Sequence, residues 1–123
     1  MIKLIMCVCR RPDITREQFQ DYWINRHAPI FVNNISDLRA KKYVQSHTVN
    51  TPLNEEIRTF RDMLPEYDGV AEVWFESEED LAEAMNSLEG QRLNAALIED
   101  EENFIDGSRC SAFIVREHEL YSD

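Results

Sequence analysis

The sequence predicts an α+β fold built on one antiparallel sheet. Two observations predict it. Four segments with strand character, at 2–9, 41–49, 70–75 and 109–117, are separated by segments whose apolar residues recur every three or four positions. The 123 residues, 43% of them apolar, suffice for one core and are too few for two ordinary domains, so 1–123 reads as a single domain.

In the first strand, Ile2, Leu4, Met6 and Val8 alternate on one face, and Ile5, Cys7 and Cys9 on the other. Both faces are apolar, so both are expected to be covered. A helix over 16–28 follows. Thr15 is its N-cap, and Gln18 three residues on completes a capping box. Phe19, Tyr22, Trp23, Arg26, His27 and Ile30 share one face of it. Pro29 has no N–H and disfavours helical geometry at Ala28, so it kinks the helix or starts a new segment reaching Leu38.

The second strand places Tyr43, Gln45, His47 and Val49 on one face, and Val44, Ser46 and Thr48 on the other. Neither face is plainly apolar, the pattern of a strand that lines a wet cavity or an interface. Asn54 is expected to cap a short helix at 55–63, with a stripe of Ile57, Phe60, Met63 and Leu64, ended by Pro65. Asp68-Gly69 reads as a turn before the strand Val70–Phe75. Ser77 caps a helix at 78–86, with Leu81, Ala84, Met85 and Leu88 inward. A further helix at 91–103 buries Leu93, Ala96 and Leu97, and its run Glu99-Asp-Glu-Glu102 reads as a solvated face. Asp106-Gly107-Ser108 turns the chain into the last strand.

The order is therefore a ferredoxin-like βαββαβ, with an extra helical segment before the third strand and a split second helix. No repeat, low-complexity tract or linker interrupts it. With helices on one face, the other is expected to carry Cys7, Tyr43, His47 and Trp74, or their alternates. Such a face is too apolar to leave in water, which predicts a two-fold homodimer with two sheets facing each other around a cavity.

Thirteen basic against 24 acidic residues leave a net charge of −11. That argues against nucleic acid and anionic membranes as partners. No apolar run approaches spanning length, the N-terminus lacks a signal-peptide layout, and three cysteines without a dense pattern suit a reducing compartment. A cytoplasmic location is expected. Cys7 and Cys9 read as small buried hydrophobes, because no second Cys/His pair follows at zinc-site spacing. No metal site, glycine-rich phosphate loop or hydrolase elbow is present, and no cofactor is expected.

Arg11-Pro12, Thr15-x-Glu17-x-Phe19, Tyr22-Trp23, His27-Ala28-Pro29 and Asp68-Gly69-Val70-Ala71-Glu72-x-Trp74-Phe75 together resemble the EthD-domain family, of the dimeric α/β-barrel superfamily, over 1–117. The stretch Pro52–Pro65 departs from a minimal member, as an insertion that shapes or lids a pocket. The resemblance implies a dimeric barrel with a cavity in each subunit. It also implies chemistry among cofactor-free isomerases, dehydratases, cyclases, decarboxylases and monooxygenases.

His27 is the leading acid/base candidate, since an imidazole titrates near neutral pH. The structural alternative is a helix-end histidine bonded to a backbone carbonyl. His47 is a second acid/base candidate if its face looks into the barrel, and solvent decoration otherwise. Tyr22 can orient a substrate oxygen through its hydroxyl. Asp68 forms a turn or, on the resemblance, serves as carboxylate partner to a histidine. Trp23, Tyr43, Trp74 and Phe19 are the candidate substrate-binding aromatics.

Together with the resemblance, these residues imply a cofactor-independent lyase, dehydratase or isomerase acting on a small cyclic or aromatic carbonyl-bearing metabolite. The alternatives are a non-catalytic binding module and a monooxygenase, cofactor-free or haem-linked.

Overall fold

The computed structural model describes residues 1–123. Four strands, β1 (Ile2–Val8), β2 (Lys42–His47), β3 (Gly69–Phe75) and β4 (Ser111–Val115), form one sheet in the order β2-β3-β1-β4. Every pairing is antiparallel, with Ile5 opposite both Glu72 and Phe113. The helices are α1 (Arg16–Tyr22), α2 (Ala28–Val32), α3 (Pro52–Arg61), α4 (Glu78–Asn86) and α5 (Leu88–Glu101). This is the expected ferredoxin-like α+β architecture.

Alternation assigns the two sheet faces. Ile2 and Val8 of β1 and Ala71, Val73 and Phe75 of β3 are buried beneath the helices. Phe31, Leu38, Ala84 and Leu93 pack on one end of this face, and Phe19, Trp23 and Phe104 on the other. Tyr43 and His47 also belong to the helix-covered face, Tyr43 against Phe31 and His47 against Trp23. This corrects the expectation that they sit on the open face. Cys7 and Trp74 do lie there, because each is one residue out of phase with the buried set.

The N-terminal helix begins as its capping box dictates, with Gln18 N–H donating to Thr15 Oγ1 and Thr15 N–H to Gln18 Oε1. It does not run unbroken to residue 28. Trp23–His27 form a wide π turn in which the Ala28 N–H reaches the Trp23 carbonyl, five residues back. Pro29 explains the break: it has no N–H to give to the carbonyl of Asn25, and its ring would crowd that carbonyl in an α-helix. Widening the turn relieves the clash and re-aims the side chains of Trp23 and His27.

Several boundaries move for local reasons. Thr51, not Asn54, caps α3, with Pro52 in the first turn. The α3 stripe is not buried, for Ile57, Phe60, Met63 and Leu64 are all exposed. Ser87 ends α4 and caps α5 at once, donating to Ala84 O and accepting from Gly90 N–H. The last helix therefore starts at Leu88 rather than 91. Asp68-Gly69 is not a turn. Gly69 opens β3, and a Cβ there would collide with the Trp23 ring and lie 2.9 Å from Ser46 O. Glycine is needed because Trp23 lies flush on the strand. No helix is long and apolar enough to cross a membrane.

Candidate active site

Between the covered sheet face and the helices lies a cavity of about 450 Å³. Leu4, Met6, Val73, Phe31, Leu97 and Phe104 give it apolar walls. His27, Tyr43, Asn94 and Glu101 are the polar side chains in them, and no lysine or arginine lines it. No residue of α3 borders it either, so the segment expected to lid the pocket does not do so.

His27 arrives from the π turn, its ring centroid 4.9 Å from that of Phe104. Its Nδ1 lies 2.7 Å from Asp100 Oδ2. A hydrogen bond to a carboxylate requires the proton on Nδ1, which leaves Nε2 as the free ring nitrogen. That nitrogen faces Glu101, at 3.8 Å from Oε2. The ring is thus not sealed beneath Phe19 and β2; it borders the cavity with its second nitrogen unengaged.

Asp100 is held on its other oxygen as well. Tyr22 OH donates to Oδ1 at 2.6 Å, and Asn103 Nδ2 donates to it at 3.3 Å. Burial alone would raise the Asp100 carboxyl, but the bonds from Tyr22, His27 and Asn103 outweigh it and hold it below the usual carboxylate range. Tyr22, bonded to that carboxylate, has its phenol pushed up and stays a donor. Glu101 shows the opposite balance. Burial, with the Asp100 charge beside it, pushes its carboxyl up to about 7. Two adjacent carboxyls on α5 thus differ: one is fixed as an anion, and one is poised to hold a proton.

The other sequence candidates divide. Tyr43 lines the cavity, and its hydroxyl accepts from Gln45 Nε2 at 2.6 Å. Burial pushes its phenol up. Trp23 lines the cavity too, while Phe19 is wholly buried behind it with ring centroids 5.3 Å apart. His47 stacks on the far side of Trp23, with Nε2 bonded to Gln45 Oε1 at 2.8 Å. It does not border the cavity, and burial lowers its pKa. Asp68 is buried away from His27 as a clamp, accepting from Arg10 N–H and Arg16 Nε, each at 2.8 Å. Trp74 lies on the open face between Lys3 and Lys42, its Nε1 donating to Glu117 at 2.7 Å.

The acidic run Glu99-Asp-Glu-Glu102, expected as a solvated face, instead supplies two site residues, Asp100 and Glu101. Glu99 and Glu102 are exposed, but Asp100 and Glu101 are half-buried. The signal was present: Leu93, Leu97 and Phe104 define the inward stripe of α5 and its end, and three or four residues beyond Leu97 fall Asp100 and Glu101.

Comparison with known proteins agrees with this architecture. The EthD domain model matches residues 11–108. This chain belongs to the EthD-domain family. Among solved structures, it is similar to an EthD family protein from Bacillus halodurans (20% identity, TM-score 0.63, covering 96% of this chain and 99% of that one). It also resembles a dimeric protein of ferredoxin-like fold from Bacteroides fragilis (10% identity, TM-score 0.60, 94% and 95% covered). A third likeness is to SnoaB, a cofactor-independent oxygenase of Streptomyces nogalater (7% identity, TM-score 0.55, 99% and 97% covered). No curated protein matches the chain.

Proposed function

We propose that this protein is a cofactor-independent lyase, dehydratase or isomerase acting by acid–base chemistry. Its substrate is a small cyclic or aromatic, carbonyl-bearing metabolite held in the cavity between sheet and α5. The observation that carries this reading is the setting of His27: Nδ1 is tied to Asp100 at 2.7 Å, Nε2 makes no hydrogen bond, and the residue borders an apolar cavity of about 450 Å³. A ring oriented through one nitrogen and free at the other is the arrangement a general base requires. Tyr22 and Asp100 are positioning residues. Trp23 and Tyr43 shape the pocket, and His47 and Phe19 support Trp23 from behind. Trp74 and Asp68 serve structure.

The active form is a homodimer closed over the open sheet faces, where Ile5, Cys7, Val44, Val70 and Trp74 are not covered by helices. A monomeric mass by sedimentation at micromolar concentration would remove that part. His27→Ala is expected to abolish turnover and leave the fold and dimer intact. Unchanged turnover would remove His27 from the mechanism, and ligand binding without turnover in the native protein would favour a carrier role. A second reading, oxygenation, draws on the likeness to a protein described as a cofactor-independent oxygenase. Oxygen uptake coupled to substrate loss would select it.

A further inference from the structure

Beside His27 the cavity holds one acidic side chain, Glu101, with no partner of its own. Glu101 lines the cavity, and its carboxyl makes no hydrogen bond within the protein; its nearest basic atom is His27 Nε2 at 3.8 Å. The neighbouring Asp100, one residue earlier on α5, is by contrast engaged by Tyr22, His27 and Asn103. A free carboxyl beside a free imidazole nitrogen, both facing one apolar chamber, forms an acid–base pair aimed at a single ligand.

We propose that Glu101 is a second catalytic residue, which protonates the carbonyl oxygen of an uncharged, enolisable substrate while His27 Nε2 removes the proton from the adjacent carbon. The C–H bond breaks, and its electron pair becomes the C=C bond of the enol. The carbonyl π pair takes the Glu101 proton to form the O–H bond. His27 gains one proton and Glu101 loses one, and re-ketonisation returns both. No oxidant, reductant or metal enters the balance. This rests on His27 acting as the base.

Two observations restrict the substrate. With no lysine or arginine in the walls and the Glu101 carboxyl among them, a carboxylate or phosphate would have no cation to meet it. The Glu101 carboxyl stands at about 7, chiefly through burial and then through the Asp100 charge, so a useful fraction carries a proton at neutral pH. The titratable groups around it are His27 from the π turn, Asp100 on α5, Tyr43 on β2 and Cys110 before β4.

The test is exchange of the α-hydrogens of 2-tetralone, an uncharged bicyclic ketone, in D2O. It is followed by proton NMR, with line broadening of the ketone signals reporting binding. The native protein should bind the ketone and accelerate exchange. Glu101→Gln should bind it with similar affinity and exchange about a hundredfold more slowly, and His27→Ala should lose exchange altogether. Glu101→Gln as fast as the native protein, with His27→Ala inactive, would overturn the role of Glu101 and leave His27 standing. Both variants as fast as the native protein would overturn both. Failure of the native protein to bind the ketone, or to exchange it once bound, would overturn the uncharged-carbonyl assignment.

Discussion

Replacing Asp100 with asparagine keeps the shape of the His27 support and removes its charge. The native contact is a 2.7 Å bond from Nδ1 to a carboxylate that Tyr22 also engages at 2.6 Å. A hydrogen bond to a charged group contributes about 1.5–3 kcal/mol, and a neutral one about 0.5–1.5 kcal/mol. The variant should therefore lose about 1–2 kcal/mol of support for the protonated ring. Since about 1.4 kcal/mol is tenfold, any rate that depends on His27 taking a proton should fall roughly five- to thirtyfold. A second effect has a fixed sign. Part of the rise of the Glu101 carboxyl comes from the Asp100 charge, so it should move down from about 7 in Asp100→Asn. Nitrogen-15 NMR of the imidazole reads the first effect directly. In the native protein the neutral ring should carry its proton on Nδ1, and in the variant the two tautomers should become mixed. Carbon-13 titration of the Glu101 carboxyl reads the second. An unchanged tautomer together with an unchanged Glu101 titration would show that Asp100 neither orients His27 nor raises Glu101, because both consequences follow from one lost charge.

Two further perturbations separate structure from chemistry. Glu101→Gln should stabilise the fold at high pH. A carboxyl raised from 4.5 to about 7 binds protons more tightly in the folded chain, so native stability falls as pH rises through that interval. The variant escapes a penalty of about 1–3 kcal/mol above pH 8, solvent at the partly exposed carboxyl screening some of the full shift, and gains nothing below pH 4; urea unfolding at both pH values checks it. Asp68→Ala leaves Arg16 without its 2.8 Å partner and should cost about 3 kcal/mol in the same assay, while leaving 2-tetralone exchange per folded molecule unchanged.

The fold was legible because each strand and helix carried its own local signal. Thr15 and Gln18 set one helix start and Ser77 another, while the alternation in β1 and β3 separated the two faces of each strand without ranking which one the helices cover. The face of β2 was ambiguous, because Tyr43, Gln45 and His47 are amphipathic and alternation alone ranks neither side. Their placement comes from tertiary contacts: Phe31 against Tyr43, Trp23 against His47, and Gln45 Nε2 donating to the Trp23 carbonyl. Asp68-Gly69 looked like a turn by composition, yet the glycine answers to Trp23 packing across it, a contact 46 residues away in sequence. The site was half legible. His27 was marked by Pro29, whose effect on the helix is local. Asp100 and Glu101 were hidden in an acidic run whose flanking members are solvated, and only the phase of α5 separates the inward pair.

Everything proposed for this site requires that ligand bind between sheet and α5, against His27. Intermolecular Overhauser contacts from bound 2-tetralone measure this directly. Contacts are expected to the rings of His27 and Phe104 and to the methyls of Leu97, all in the cavity walls. Contacts confined to Trp74 and its neighbours on the open sheet face would contradict it.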